Sequence, residues 1–206
     1  MSSEQSVPDV GALIDHARTG DEAALGRLLA GYSAYLQLLG RLQLNRRLQG
    51  KIDAADVVQE TFLEAARDFG QFRGRTEAEL LAWLRQILAF NLANQVRRYL
   101  GTQRRDARLE QELAQDLEQS AQQWSQLLAA SQSSPSKQAV RHEEAVRLAD
   151  ALGRLPDHYR DVVMLHSLQD LPFPEVARQM GRSVDSVEKL WVRALVQLRG
   201  LLEAPP

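Results

Sequence analysis

The stretch "PEVARQMGRSVDSVEKLWVRALVQLRGLL", residues 174–202, contains two amphipathic segments separated by a turn at Gly181. In each segment the apolar residues recur at spacings of three and four, which is the period of one face of an α-helix. A short helix, a tight turn and a longer helix in this order are typical of a helix-turn-helix. The residues that we expect to pack between the two helices are Val176, Ala177, Met180, Val187, Trp191 and Leu195.

The second of these helices has a mixed outer face, with Lys189 and Arg193 beside Asp185 and Glu188. In a helix-turn-helix, residues near the start of the second helix contact base edges, and basic residues further along contact phosphates. A helical hairpin inside an ordinary bundle has the same apolar pattern. The charge of this helix therefore does not decide by itself whether it contacts DNA.

Helical periodicity also dominates the rest of the chain, and no alternating Val/Ile/Thr-rich run of the kind that favours a strand occurs. Asp21 and Asp53 stand where helix N-caps are expected. Pro156 is expected at the first position of a helix, and Gly181 is expected to end one in a left-handed conformation.

The composition changes between residues 102 and 139, where Gln, Ser, Ala and acidic residues accumulate and the run "SQSSPS" occurs. Such a run is typical of a linker, although parts of this segment can be helical. We therefore predict an all-α fold with a helical domain over residues 1–101, a flexible acidic linker over 102–139, and a helix-turn-helix domain over 140–206.

The net charge of −2 is unevenly distributed. Residues 40–105 hold twelve Lys and Arg against seven Asp and Glu, whereas residues 106–134 hold Arg108 against five acidic residues. A basic block of this kind points to a polyanionic partner, and the acidic segment follows it directly.

The sequence also excludes several kinds of site. It contains no cysteine, which rules out disulfides, zinc-thiolate sites and thiol nucleophiles and suits a reducing cytoplasm. The four histidines are scattered, and no nucleotide-binding, serine-hydrolase or zinc-protease motif occurs. We find no signal peptide and no apolar run near the roughly 20 residues of a membrane span. We expect a cytoplasmic protein with no catalysis, metal, cofactor or membrane insertion.

Residues 85–105 contain five arginines and no acidic residue, and Trp83, Phe90 and Tyr99 lie among them or beside them. Arginines with stacking aromatics suit single-stranded nucleic acid, whose bases are exposed. In the alternative interpretation, Trp83 and Phe90 are core residues and the arginine stems lie over the apolar surface around them.

Two sets of motifs together resemble a known family. The first is "DVVQETF" at residues 56–62 followed by "WL..I...N" at 83–91. The second is "LP..YR.V..L" at 155–165, then the helix-turn-helix and "VRAL..LR" at 192–199. The first set resembles region 2 and the second set region 4 of bacterial RNA polymerase sigma factors. With no recognisable third domain between them, the chain is similar to the small extracytoplasmic-function (ECF) group.

The resemblance implies an initiation factor that binds the clamp coiled coil of core RNA polymerase through the "DVVQETF" helix. The implied core-binding residues are Asp56, Gln59, Glu60 and Phe62. The loop "GQFRGRT" at residues 70–76 and the helix after it would engage the −10 element, where the family flips a base of the single strand into a pocket. The implied −10 residues are Arg73, Arg75, Arg85, Asn91, Asn94, Arg97 and Arg98.

The resemblance further implies that the second domain binds the −35 element as duplex DNA in the major groove. The implied residues are Arg182, Ser183, Asp185, Ser186, Lys189, Val192 and Arg193. The acidic linker would run through the polymerase and mimic nucleic acid against basic channel walls, which is a hypothesis. An anti-sigma factor is a further partner that the family suggests.

This chain departs from the family at Glu188 and Leu190, where basic residues often stand. Glu188 could accept a hydrogen bond from cytosine N4 or could be an ordinary solvated residue beside Lys189. Two other interpretations remain open. One is a helix-turn-helix regulator with a sensory amino-terminal bundle, and the other is an adaptor or anti-sigma-like helical protein that binds polymerase without binding DNA.

Overall fold

Within residues 10–48, 52–100, 107–129 and 138–203, which the computed structural model describes, the chain forms ten α-helices and no strand. The predicted all-α class is confirmed. A 3₁₀ turn at Phe69–Gln71 extends the fourth helix, and a π-helical turn at Met164–Leu168 extends the eighth. The helices are α1 (Val10–Arg18), α2 (Glu22–Ala30), α3 (Ser33–Leu48), α4 (Ala54–Asp68), α5 (Glu77–Leu100), α6 (Ala107–Ala129), α7 (Gln138–Gly153), α8 (Asp157–Val163), α9 (Phe173–Met180) and α10 (Val184–Glu203).

The expected N-caps are present at two helices. The Asp21 carboxylate accepts a hydrogen bond from the Ala24 N–H at 2.9 Å, and the Asp53 carboxylate accepts one from the Ala55 N–H at 2.9 Å. Each bond satisfies one of the amide groups that a helix leaves unpaired at its start. Helix α2 ends at Ala30, with Gly31 as its C-cap, and α3 begins at Ser33.

Helices α3, α4 and α5 pack on one another to form the amino-terminal core, and α1 and α2 pack together at its edge. The core is mostly leucine on the inner faces of α3 and α5, with Val57 and Val58 contributed by α4. The fully buried large side chains of this part are Ile14, Tyr35, Leu36, Leu39, Leu42, Leu44, Leu80, Leu81, Leu84, Leu88 and Leu92.

The described part of the segment 102–139 corrects the prediction of a flexible linker. Residues 107–129 form the continuous helix α6, which packs against α5 and α3. Leu113, Leu117 and Ala121 recur at four-residue spacing and are all buried. The flexible-linker prediction is therefore wrong for α6, while residues 102–106 and 130–137, including "SQSSPS", lie outside the described residues.

The carboxy-terminal part is built around α10, which packs against α7, α8 and α9. Gly181 ends α9 in the left-handed region at φ 64°, as predicted, and the next N–H, of Arg182, bonds back to the Ala177 carbonyl at 3.0 Å. Helix α7 also packs against α3 and α6, so that the apolar core continues from one half of the protein into the other.

Candidate nucleic-acid interface

The outer face of α10 and its preceding turn present most of the predicted −35 residues to solvent. Arg182, Ser183, Asp185, Lys189, Val192 and Arg193 are exposed, and Ser186 is half-buried. The opposite face is buried and includes Val187, Ala194 and Leu198. A helix that is anchored along one side and open along the other has the geometry of a recognition helix in a major groove.

Local bonds fix how this helix begins. The Ser183 hydroxyl accepts a hydrogen bond from the Ser186 N–H at 3.2 Å and caps the helix. Lys189 Nζ donates to Asp185 Oδ2 at 2.8 Å across one turn, and both side chains are exposed. Such a pair contributes little stability in water, and a DNA phosphate can compete with Asp185 for the lysine.

The two positions that depart from the family lie on different sides of α10. Leu190 is buried against the core, whereas Glu188 is exposed. Half-buried Trp191 lies beside Leu190 in the sequence, and its indole N–H donates to the Ser167 hydroxyl at 3.1 Å. The Trp191 ring meets His166 and Phe173 edge-on, with ring centroids 5.3 and 5.7 Å away. This aromatic cluster holds α10 against the π-helical turn and α9.

Two predicted −10 residues on α5 are buried and bonded to neighbouring helices. Arg85 is 6% exposed and donates to Glu118 of α6, from Nε at 3.1 Å and Nη2 at 2.8 Å, and to the Tyr35 hydroxyl at 3.2 Å. Asn91 donates to Glu64 at 3.1 Å and to Thr61 at 3.4 Å, both on α4. In this conformation neither side chain is accessible to DNA, and both hold α5 in the bundle. Their placement as DNA contacts is corrected accordingly.

Two further predicted −10 residues already have hydrogen-bond partners within the protein. Arg97 and Asn94 are half-buried and are hydrogen-bonded to each other, and Arg97 Nη1 also donates to Glu110 of α6 at 3.1 Å. Glu110 and Glu118 thus pair with arginines of this same chain. For these two acids the structure does not support the hypothesis of nucleic-acid mimicry against polymerase walls.

The remaining −10 residues, Arg73, Arg75 and Arg98, are exposed. Arg73 and Arg75 lie on either side of Gly74 in the segment 72–76, which we call the α4–α5 loop. Among the described residues of the amino-terminal half, this loop and the end of α5 therefore form a basic surface that is open to a ligand.

The α4–α5 loop is held by bonds from both of its ends. The Glu79 carboxylate accepts hydrogen bonds from the Arg75 N–H at 2.8 Å, the Thr76 N–H at 3.0 Å and the Thr76 hydroxyl at 2.9 Å. The Thr76 hydroxyl in turn accepts from the Glu79 N–H at 3.3 Å, which completes a capping box. Hydrogen bonds, first from the Arg75 N–H and then from Thr76, hold the pKa of Glu79 below its ordinary value.

The start of the loop is anchored by aromatic packing. The buried Phe72 ring lies 5.7 Å from the Phe69 ring and 5.1 Å from the Trp83 ring, between centroids. Trp83 is therefore a packing residue, which was one of the two interpretations of its sequence. The main chain of Gly74 lies close to the side chains of Phe72 and Glu79. A Cβ at this position would lie 2.5 Å from Phe72 Cζ and 2.7 Å from Glu79 Cβ. Only glycine fits at this position without a shift of the loop.

The outer face of α4 carries Asp56, Gln59 and Glu60, all exposed, as a polar face for a partner requires. The apolar residue on that face is Leu63, which is 74% exposed, whereas the predicted Phe62 is half-buried against the core. Sequence reasoning missed Leu63, although it follows Asp56 by seven residues and therefore shares its helical face. Glu79 was also missed, although the pattern Thr-x-x-Glu at 76–79 signals a capping box.

In the part of the chain that the structure describes, no cluster of three His, Asp or Glu side chains forms a candidate metal site. No helix among those residues is long and apolar enough to cross a membrane. Among the described residues, the exposed basic α4–α5 loop and the helix-turn-helix are surfaces of the kind that proteins of the nucleic-acid-binding class present.

Comparisons with known proteins identify the family. Residues 32–106 match the family Sigma-70 region 2, and residues 145–198 match Sigma-70, region 4. The chain is 31% identical to the ECF RNA polymerase sigma factor BldN of Streptomyces coelicolor over 194 residues, which cover 92% of this chain and 64% of BldN. It is 28% identical to the ECF RNA polymerase sigma-E factor of Haemophilus influenzae over 183 residues, which cover 89% of each.

A third relative is the RNA polymerase sigma factor CnrH of Cupriavidus metallidurans, which is 29% identical over 193 residues that cover 93% of each chain. A solved structure of CnrH in complex with the cytosolic domain of CnrY aligns at 26% identity over 96% of this chain and 100% of that one, with a TM-score of 0.36. The chain belongs to the sigma-70 family of RNA polymerase sigma factors, in the ECF group.

Proposed function

We propose that the chain binds core RNA polymerase, directs it to a promoter and helps to open the duplex there. The observation that carries the proposal is the presence of three exposed surfaces in one chain, two within the matched region 2 and one within the matched region 4. In region 2 these are the outer face of α4 and the α4–α5 loop, and in region 4 the outer face of α10. The family has no enzymatic function, and we propose that this chain likewise acts without catalysis of its own.

The polymerase-binding surface that we propose consists of Asp56, Gln59, Glu60 and Leu63 on α4. Three polar side chains around one exposed leucine suit a basic helical partner such as the clamp coiled coil. Glu60 is already oriented by a hydrogen bond from Gln95 of α5, at 3.2 Å between Nε2 and Oε2. Phe62 supports this surface from behind.

The DNA-binding residues that we propose differ between the two elements. Exposed Arg73, Arg75 and Arg98 contact the −10 strand, and the bonded pair Asn94 and Arg97 lies beside them. On α10, residues near the start of the helix contact −35 base edges, while Lys189 and Arg193 contact phosphates. Exposed Val192 can pack against a thymine methyl group.

An anti-sigma factor is a further proposed partner. We also propose that the protein acts in the cytoplasm, because its two other proposed partners, RNA polymerase and promoter DNA, are located there. The competing interpretation, a regulator with a sensory amino-terminal bundle, is not favoured, because that bundle matches sigma region 2. The adaptor interpretation differs in one respect, since it requires no DNA contact by Lys189 or Arg193.

Run-off transcription with purified bacterial core polymerase tests the proposal. With a library of genomic fragments as template, we expect discrete promoter-specific transcripts only when the chain is added. The K189A/R193A double variant should still bind core but lose these transcripts. Absence of core binding and of transcripts would refute the proposed function, and full activity of the double variant would favour the adaptor interpretation.

A further inference from the structure

Arg18, the last residue of α1, reaches the α4–α5 loop from outside the matched region 2. Its guanidinium donates a hydrogen bond through Nη2 to the Gly74 carbonyl, 56 residues away in the sequence. The guanidinium carbon also lies 5.8 Å from the centroid of the Phe72 ring, within cation–π range. Arg18 thus contacts Phe72 and Gly74, the two loop residues on either side of Arg73.

Arg18 is itself oriented from within α1. Asp15, three residues earlier, lies 3.7 Å from Arg18 Nη1, and the Arg18 side chain is only 28% exposed. A cation at the last turn of a helix is also favoured by the helix dipole. The guanidinium thus lies between Asp15 and the loop, with Nη2 directed at the Gly74 main-chain oxygen.

The contacts of Arg18 complement those of Glu79. The Glu79 carboxylate binds the loop after Gly74, through the Arg75 and Thr76 amides, whereas Arg18 binds it at Gly74 and Phe72. The main chain of the loop is thus held by Arg18 on one side and by Glu79 on the other. The side chains of Arg73 and Arg75 remain exposed on this fixed main chain. Donors that are held in place before binding discriminate between ligands better than donors that must first be ordered.

We propose that Arg18 is a positioning residue for promoter recognition, which holds the α4–α5 loop in the conformation that discriminates the −10 base. This inference rests on the proposed function, because the loop must face the −10 strand. It assigns a role to α1, which lies outside residues 32–106 that match region 2. Arg18 acts through Gly74 and Phe72 and need not touch DNA.

The test compares R18A, R18K and the control R27A, which removes an exposed arginine from α2. Hydrogen exchange of residues 72–76 is measured in the full chain, and transcription is measured from a promoter with and without a substitution of the flipped −10 base. The discrimination is the ratio of transcription from the unsubstituted promoter to transcription from the substituted one. For the wild-type chain we expect a ratio of about tenfold or more. In R18A we expect the exchange to rise and the discrimination to fall to roughly threefold or less, with unchanged affinity for core polymerase.

The variant R18K separates positioning from a simple charge effect. Lysine keeps the charge but lacks the planar group that bonds Gly74 and covers Phe72 together, so R18K should recover less than half of the lost discrimination. Unchanged loop exchange or unchanged discrimination in R18A would overturn the proposal, as would full rescue by R18K. If the wild-type chain gives no promoter-specific transcripts, the proposed function fails, while the exchange result still shows whether Arg18 holds the loop.

Discussion

Arg85 of α5 and Glu118 of α6 form a two-point ion pair, with both Nε and Nη2 bonded to one carboxylate oxygen at 3.1 and 2.8 Å. The arginine side chain is 8% exposed and the glutamate 50%. Burial raises the pKa of the third partner, Tyr35, so its hydroxyl stays protonated beside the guanidinium. A basic residue expected at the DNA surface thus joins three helices of the bundle.

Removal of the carboxylate should leave a buried guanidinium without its charged partner. We expect E118A to lower the free energy of unfolding by about 1–2 kcal/mol, a modest cost because Glu118 is half exposed. Urea unfolding of E118A, R85M and the double variant measures it. The double variant should be more stable than the sum of the single effects predicts, and strict additivity would contradict a direct pair.

Leu117 of α6 is fully buried, so its truncation should affect stability as a core substitution does. We expect L117A to lower the free energy of unfolding by about 2–5 kcal/mol. The control Q119A, at an exposed position of the same helix, should change it by less than about 0.5 kcal/mol. If α6 were a flexible tether, the two variants would unfold alike.

Phe62 and Leu63 are neighbours in the sequence, but we expect their substitution by alanine to affect different properties, stability for Phe62 and polymerase binding for Leu63. L63A should weaken binding to core polymerase by roughly tenfold without loss of stability, because the side chain is exposed on the proposed interface. F62A should lower the free energy of unfolding by about 2 kcal/mol, since its ring packs on the core. Titration of labelled protein with core polymerase and urea unfolding distinguish them. A stable F62A with a larger binding defect than L63A would reverse the assignment.

Arg193 should contribute one phosphate contact to −35 binding. We expect R193A to reduce the slope of log affinity against log salt concentration by about 1 in holoenzyme binding to promoter duplex. The matched control is R199A, because Arg199 is bonded to Glu203 and lies about 240° further around the helix. Equal changes in both slopes would contradict a phosphate contact that is specific to Arg193.

The stability of α9 should depend on acid pH through Glu175. Hydrogen bonds from Arg178 and then Gln179 lower its pKa from 4.5 to about 2. A lowered pKa stabilises the fold above the unfolded value, so the contribution is complete above pH 4.5 and is lost as the pH falls towards 2. The difference in melting temperature between the wild-type chain and E175Q should therefore be constant from pH 7 to 5 and shrink below 4.5. A difference that grows on acidification would contradict this sign.

Local sequence signals predicted the carboxy-terminal half well. The stripe from Val187 to Leu198 and the left-handed Gly181 depend on spacing and on one residue type, and both are confirmed. The buried leucines of α5 recur with the same helical periodicity. These features need no knowledge of distant partners.

Tertiary pairing explains what the sequence did not reveal. Arg85 and Asn91 carry polar groups that suit DNA, and their burial depends on Glu118 and Glu64, which lie 33 and 27 residues away. Helix α6 was not predicted because its Gln-rich composition outweighed the four-residue spacing of Leu113 and Leu117. The −35, −10 and polymerase contacts themselves remain predictions.

The packing of α6 onto α3 and α5 also determines where the polypeptide can be cut. A fragment ending at residue 101 would lose Leu113, Leu117 and Glu118 together, which exposes apolar surface and leaves Arg85 with Tyr35 alone. Such a fragment is expected to aggregate, whereas one that continues to residue 129 keeps α6 over α3 and α5 and loses the contacts with α7 and the π-helical turn. The boundary of the amino-terminal packing unit therefore lies at least one helix beyond the sigma region 2 match.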